Sequence, residues 1–220
     1  LIFDIYSSLR RLGFSIDFLS PKATNFNDYK LIIASGMMHT PDKLKELLQN
    51  STAKILFGPR SNAKSENMYI EAKLPPNLSK IDVTVSRVQT LRPDINIPLE
   101  KKGNAKYYIE ELVGKADDII KTSSGISVLK SKKNINYLGG WLDSHGFDEL
   151  FISLCKKINL DYTVMPYGVR KRETANYYFW FNYNENKTNT IIGSIKGADF
   201  VKIKKIILLN FFYLHKFNFI

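Results

Sequence analysis

Apolar residues recur along the opening segment at Ile2, Ile5, Tyr6, Leu9 and Leu12, the stripe of an amphipathic helix. Gly13 supplies its stop, because glycine takes the left-handed position after a helix at no steric cost. Phe14, Ile16 and Phe18 then alternate with Ser15 and Asp17, which predicts a strand ended by Ser20-Pro21. Residues 29–35 (YKLIIAS) are almost continuously apolar, the mark of a strand covered on both faces, as in a parallel sheet. Thr40-Pro41 reads as an N-cap followed by proline at the first helical position. Leu44, Leu47 and Leu48 form the apolar side of the helix that follows. Residues 53–59 (AKILFGP) give a third strand, closed by Gly58-Pro59.

Helices and strands that alternate with short connections predict an α/β domain with a parallel sheet between helices, of flavodoxin-like type. Strands 14–19, 30–35 and 53–58 are expected to be parallel and central, with a right-handed crossover joining the last two. Residues 60–80 are polar, contain Pro75-Pro76 and read as a long loop. Residues 81–88 (IDVTVSRV) alternate as a strand, and 89–105 read as mostly irregular. Residues 126–130 and 135–141 flank a Ser-Lys-Lys-Asn turn and predict a hairpin. Asp143-Ser144 caps a helix that carries Phe147, Leu150, Phe151, Leu154, Cys155 and Ile158 on one face. After about residue 160 helical periodicity ceases. The chain becomes rich in Tyr, Phe, Val and Thr, with turns at Pro166, Gly168 and 184–187, and predicts a small antiparallel β domain.

The composition is that of a globular chain: 220 residues, 44% hydrophobic and 24% charged. The net charge of +11 invites a nucleic-acid reading, but 25 of the 32 basic residues are Lys, beside 24 Ile and 18 Asn. These three residues share AT-rich codons, and the basic residues are scattered rather than gathered with aromatics on one face. Neither a nucleic-acid partner nor a membrane is expected. The tail after Val201 (KIKKIILLNFFYLHKFNFI) is apolar and basic. Its last stretch is interrupted by Asn210, His215, Lys216 and Asn218, and falls short of the roughly 20 apolar residues needed to span a bilayer. The opening helix has no basic-then-apolar signal-peptide pattern. A chain that starts inside a helix is expected to be a fragment, and one lone cysteine is compatible with a cytoplasmic location.

The chemistry-bearing residues are sparse. Cys155, the single cysteine, falls on an apolar helix face, where it reads as a small buried hydrophobe. The turns SGMMH (35–39) and FGPRS (57–61) lack the glycine-flanked Cys or Ser of a nucleophile elbow. His39, His145 and His215 have no metal-ligand spacing, and no phosphate-binding glycine loop is present. No metal and no cofactor is therefore expected. Glu110 and Glu111 are adjacent, so they point apart, and both read as solvated carboxylates. Gly139-Gly140 reads as a place of tight backbone packing.

Three stretches resemble the non-catalytic part of family 42 glycoside hydrolases, the β-galactosidases. The first is IYSSLRRLGFSIDFLSP (5–21) with YKLIIASGMM (29–38). The second is ILFGPRSNAKSENMYIEAKLPP (55–76), leading into VSRVQTLRPD (85–94). The third is NYLGGWLDSHGFDELFISLCKKINL (136–160), then MPYGVRKRE (165–173) and FWFNYNEN (179–186). Their order matches the family over about residues 1–195. The resemblance implies a polypeptide whose N-terminal barrel hydrolyses terminal β-D-galactosides by a retaining two-glutamate mechanism. A barrel takes roughly 250 residues, so it cannot fit here, and no catalytic residue is assigned to this chain. It implies a flavodoxin-like (class I glutamine amidotransferase-like) domain at 1–160 that builds a homotrimer. A partial, truncated antiparallel β domain at 161–201 and a divergent tail at 202–220 would follow. Substrate would be met only through the missing barrel. The loop after the third strand, with Arg60, Ser61, Lys64 and Glu66, is the expected contact with a neighbouring subunit or the barrel mouth. The alternative is a free-standing flavodoxin-like binding or amidotransferase-like domain, which the missing elbow disfavours.

Overall fold

The computed structural model describes residues 1–205 and the backbone of 217–219. It is a mixed α/β structure, mostly sheet with few helices. Helix α1 (Ile2–Arg11) ends at Leu12, and Gly13 follows at φ 80°. Strand β1 (Ile16–Phe18) is followed by β2 (Leu31–Ala34), helix α2 (Asp42–Asn50) and β3 (Lys54–Phe57). After a long loop come β4 (Thr84–Thr90), β5 (Asn96–Pro98), β6 (Asn104–Val113), β7 (Asp117–Lys121), β8 (Ser127–Lys132), β9 (Ile135–Leu138) and β10 (Gly140–Leu142). Helix α3 (Ser144–Lys157) leads to β11 (Val169–Glu173), β12 (Tyr177–Asn182), β13 (Thr188–Thr190), β14 (Gly193–Ile195), β15 (Asp199–Lys204) and β16 (Phe217–Phe219).

The main sheet runs in the order β1-β16-β2-β3-β9-β8-β7. Its first five strands are parallel, and β9, β8 and β7 pair antiparallel. The expected parallel pairing of the second and third strands is present, with Leu31 opposite Lys54 and Ala34 opposite Phe57. The expected hairpin is β8–β9. The first strand is not central: β1 lies at the sheet's end, and β16 separates it from β2. The continuous apolar run of β2 has its reason in two cores. Leu31 and Ile33 join α1 and α3 on one face. Ile32 and Ala34 join Leu44 and Leu48 of α2 on the other.

A second, antiparallel sheet holds β10, β6 and β4, with β5 on β6; of it only the short β5 lies wholly within 89–105, which is otherwise mostly irregular as expected. At α2 the cap differs from expectation. Pro41 is the N-cap residue, with no side-chain cap, and the Thr40 hydroxyl is buried without a partner. Asp143 caps α3 as expected, accepting from the Gly146 N–H at 2.8 Å. Close packing at Gly139 and Gly140 is also as expected: a Cβ there would lie 2.8 Å from Leu112 and Val128 side-chain carbons respectively.

Strands β11, β12 and β15 form a third, antiparallel sheet, and β15 carries it past Val201 to Lys204, opposite Tyr177. This sheet has its own small core of Met165, Val169, Trp180 and Ile195. It is tied to the first helix: Arg10 donates to the Phe14 and Lys171 carbonyls, and the Met165 N–H donates to the Arg11 carbonyl at 2.7 Å. Among the described residues no helix is long and apolar enough to cross a membrane. His215 and most of the tail read for a membrane anchor lie outside the described residues.

Candidate functional site

The loop at the carboxyl end of β3 is the best-defined candidate, and its shape follows from three residues. Gly58 passes so close to β2 that a Cβ would lie 2.3 Å from the Ser35 hydroxyl oxygen. Pro59 then restricts the backbone. Arg60 turns it back at φ 67°, in the left-handed region that a non-glycine residue seldom occupies. Such a residue persists only where its surroundings hold it. Here the holder is Glu110 of β6, whose Oε1 accepts the Arg60 N–H at 2.9 Å. The arginine side chain is left exposed, with its guanidinium carbon 5.7 Å from the centre of the Tyr108 ring.

Glu110 is 1% exposed, so its reading as a solvated carboxylate does not hold. Adjacent residues on a strand do point apart, and Glu110 is the one that points inward. Oε1 also accepts from the Tyr108 hydroxyl at 2.9 Å, and Oε2 from the Tyr137 hydroxyl at 2.7 Å. Burial pushes the Glu110 carboxyl above the usual carboxylate range, against the pull of these three hydrogen bonds. Burial and the neighbouring carboxylate push both tyrosine hydroxyls upward as well. The two tyrosine hydroxyls and the Glu110 carboxyl together act as a clamp on the Arg60 turn.

The four residues expected to share a surface are divided. Arg60 faces outward. Ser61 is fully buried and donates to the Gly58 carbonyl at 2.7 Å, closing the turn from inside. Lys64 and Glu66 line a polar cleft of about 370 Å³ with His39, Asp42, Ser65 and Asn62. Asn62, 9% exposed and at φ 55°, pins the cleft's floor. It accepts the Thr40 N–H at 3.1 Å and donates to the Pro76 carbonyl at 2.9 Å. Sequence reasoning missed Asn62, Tyr108, Glu110 and Tyr137 as parts of this site. The available signal was a Tyr–Ile–Glu alternation at 108–110, typical of a half-buried strand.

Little else here is arranged for chemistry. Cys155 is fully buried, and burial pushes its thiol up to about 12, so it is a neutral hydrophobe at physiological pH. Among the described residues no group of three or more His, Cys, Asp or Glu could hold a metal ion. The arrangement offers an aimed cation and a polar cleft, which suit recognition.

Residues 2–161 match the family model described as the β-galactosidase trimerisation domain. The chain belongs to that family. It is 25% identical over 189 residues to a β-galactosidase of Thermus thermophilus and 27% identical over 188 residues to β-galactosidase BgaA of a Thermus species. Each alignment takes in 83% of this chain, and the chain spans only 29% of the length of either relative. Among solved structures, the β-galactosidase of the psychrophilic Marinomonas ef1 superposes with a TM-score of 0.87 at 27% identity, covering 93% of this chain and 33% of that one. The β-galactosidase of the haloarchaeon Halorubrum lacusprofundi shares the fold, with a TM-score of 0.82 at 16% identity, over 92% of this chain and 35% of its own. The matched trimerisation domain accounts for only part of the length of these relatives.

Proposed function

We propose that this chain is the C-terminal part of a polypeptide that hydrolyses terminal non-reducing β-D-galactosides, and that it holds three copies together and helps enclose the active site. The observation that carries the reading is the family match over residues 2–161 in a chain spanning 29% of its relatives. In this reading residues 1 to about 160 are a flavodoxin-like trimerisation unit, and the sheet of β11, β12 and β15 belongs to a closing β domain. The parallel strands between α1 and α3 on one face and α2 on the other support that fold assignment. The reading carries with it a cytoplasmic enzyme with no nucleic-acid or membrane partner and no cofactor.

The exposed Arg60, on a backbone fixed by Glu110, is the contact with a neighbouring subunit or the barrel mouth, and Lys64 and Glu66 flank it on the cleft. An arginine–carboxylate pair buried at such a contact costs roughly 2–5 kcal/mol to break by truncation. In the galactosidase polypeptide that contains this segment, Arg60→Ala is expected to weaken the trimer or raise KM. Sedimentation velocity and galactoside kinetics read the two effects. An unchanged trimer with unchanged kcat/KM would show Arg60 to be an ordinary surface residue.

A further inference from the structure

The sheet of β11, β12 and β15 lays one face on its small core, where Trp180 is joined by Val201 and Ile203. Alternation along β12 turns Tyr177, Phe179 and Phe181 to the opposite face, and Tyr183 continues their stripe. Successive ring centres lie 6.2, 6.2 and 6.1 Å apart. Phe200 of β15 stands opposite Phe181, 5.8 Å from its ring. Cations line both sides of the stripe. Arg170 and Arg172 of β11 are opposite Phe181 and Phe179, and Lys202 and Lys204 of β15 are opposite Phe179 and Tyr177. The carboxylates of the same strands, Glu173 and Asp199, fall on the core-side face, opposite Tyr178 and Asn182. Basic residues that read as scattered along the sequence are here gathered with aromatics on one face. Tyr183 and Phe200 are 70% and 52% exposed, and Arg172, Lys202 and Lys204 are exposed. Among the described residues none of the four cations is in an ion pair.

A partner that fits this face is apolar along its middle and anionic on both sides. The two cationic rows stand two strand spacings apart, about 10 Å, and the stripe from Tyr177 to Tyr183 runs about 20 Å. An α-helix is about 10–12 Å across with its side chains, so one with an apolar stripe between two acidic rows matches the face over nearly four turns. The helices of this chain are already engaged, α1 and α3 in the larger core and α2 in the second. The rings disfavour partners that bind by stacking. Phe179 and Phe181 are within 14° of parallel, and Phe181 and Tyr183 within 24°, so they turn their faces to one another. The face of Tyr177 is covered by Lys202, with Nζ 4.0 Å from the ring centre. Nucleic-acid bases stack on free ring faces. Ring edges, the positive part of the aromatic quadrupole, are what this surface offers, and they attract carboxylates. A single nucleic-acid strand also carries its phosphates along one side of its bases, which would leave one cationic row idle.

We propose that the outward face of β11, β12 and β15 is a docking surface for an amphipathic helix of another protein, apolar along its middle and lined with carboxylates on both sides. The proposal stands apart from the galactosidase reading, and its tests use the 220-residue chain. The probe is a fluorescent peptide of three Leu-Ala-Gln-Leu-Glu-Ala-Glu repeats, whose glutamates flank a leucine seam. Fluorescence anisotropy is expected to show saturable binding that weakens as salt rises. The same peptide with Gln for every Glu is expected to bind about tenfold more weakly, and the double substitution Arg172→Glu, Lys202→Glu to cost at least as much. Lys43→Glu, an equivalent charge change on exposed α2 surface, is expected to leave binding unchanged. A peptide with Lys for every Glu is expected to bind the doubly substituted chain more tightly than the unsubstituted one, a gain that a misfolded variant would not give. Equal affinity for the Glu and Gln peptides overturns the proposal, as does an equal loss with Lys43→Glu. Tighter binding of an oligothymidylate or of phosphatidylserine vesicles than of the Glu peptide would assign the face to another class of partner and overturn it too. Sedimentation velocity covers the remaining source: self-association abolished by the double substitution would put a second copy of this chain on the face, against the proposal.

Discussion

Two carboxylates, one buried and one exposed, respond to pH in opposite directions. Glu110 has its carboxyl raised in the fold, chiefly by burial. As pH rises above the ordinary carboxylate range, the unfolded chain releases this proton before the folded one, so stability declines until the folded-state value is passed. Glu110→Gln is expected to flatten that decline, read as unfolding midpoints across mildly acidic pH. Glu110→Ala is expected to cost about 1–3 kcal/mol in urea unfolding, because two tyrosine hydroxyls and the Arg60 amide lose their acceptor. Asp118 behaves the other way. The hydrogen bond from Lys130, at 2.7 Å, pulls its carboxyl down to about 2. That contribution is present above the ordinary aspartate value of 3.8 and is lost as pH falls through about 2. Lys130 is 5% exposed and also donates to the Gly114 and Ala116 carbonyls at 3.1 and 3.0 Å. Lys130→Met should therefore destabilise at pH 7, and the gap to the parent chain should narrow toward pH 2.

Helices α1 and α3 share the apolar core and are bridged by one carboxylate. Asp148 accepts from the fully buried Ser8 hydroxyl at 2.5 Å and from Arg11 at 3.1 and 2.7 Å. Asp148→Ala leaves Ser8 without its acceptor and is expected to cost about 1–3 kcal/mol, measured by thermal or urea unfolding. Elements with a clear local signal were legible beforehand. Helices α1 and α3, strands β2 and β3, and the β8–β9 hairpin all announce themselves by period, cap or turn. Strand β6 did not, although it is the longest strand at 10 residues. Its apolar alternation is broken by Tyr107 at φ 62° and by an inward carboxylate. The place of β1 was hidden for another reason: three residues can specify a strand, but their neighbour in the sheet lies about 200 residues away. Of the candidate site, the loop at 58–67 was visible through Gly58-Pro59. Its clamp was not, because Tyr137 and Glu110 meet only once two sheets have come together.

At the scale of the whole molecule, the chain matches the β-galactosidase trimerisation domain over residues 2–161 and spans 29% of the length of such relatives. Purified alone, it is expected to give no turnover of a chromogenic galactoside. Turnover abolished by substituting one of its own carboxylates would refute that reading. The small core under β11, β12 and β15 has a spectroscopic consequence. The chain has two tryptophans, one per packing unit. Trp141 donates to Asp4 at 2.8 Å beside the large core, while Trp180 is 3% exposed among only three other buried side chains. So small a core opens at lower free energy than the sheet between the helices. In a Trp141→Phe chain, the emission of Trp180 is expected to shift to the red at lower urea than the loss of helical dichroism from α1, α2 and α3. Superimposable curves would mean instead that the contacts of Arg10 and Met165 with the opening helix and its turn make the two units melt as one.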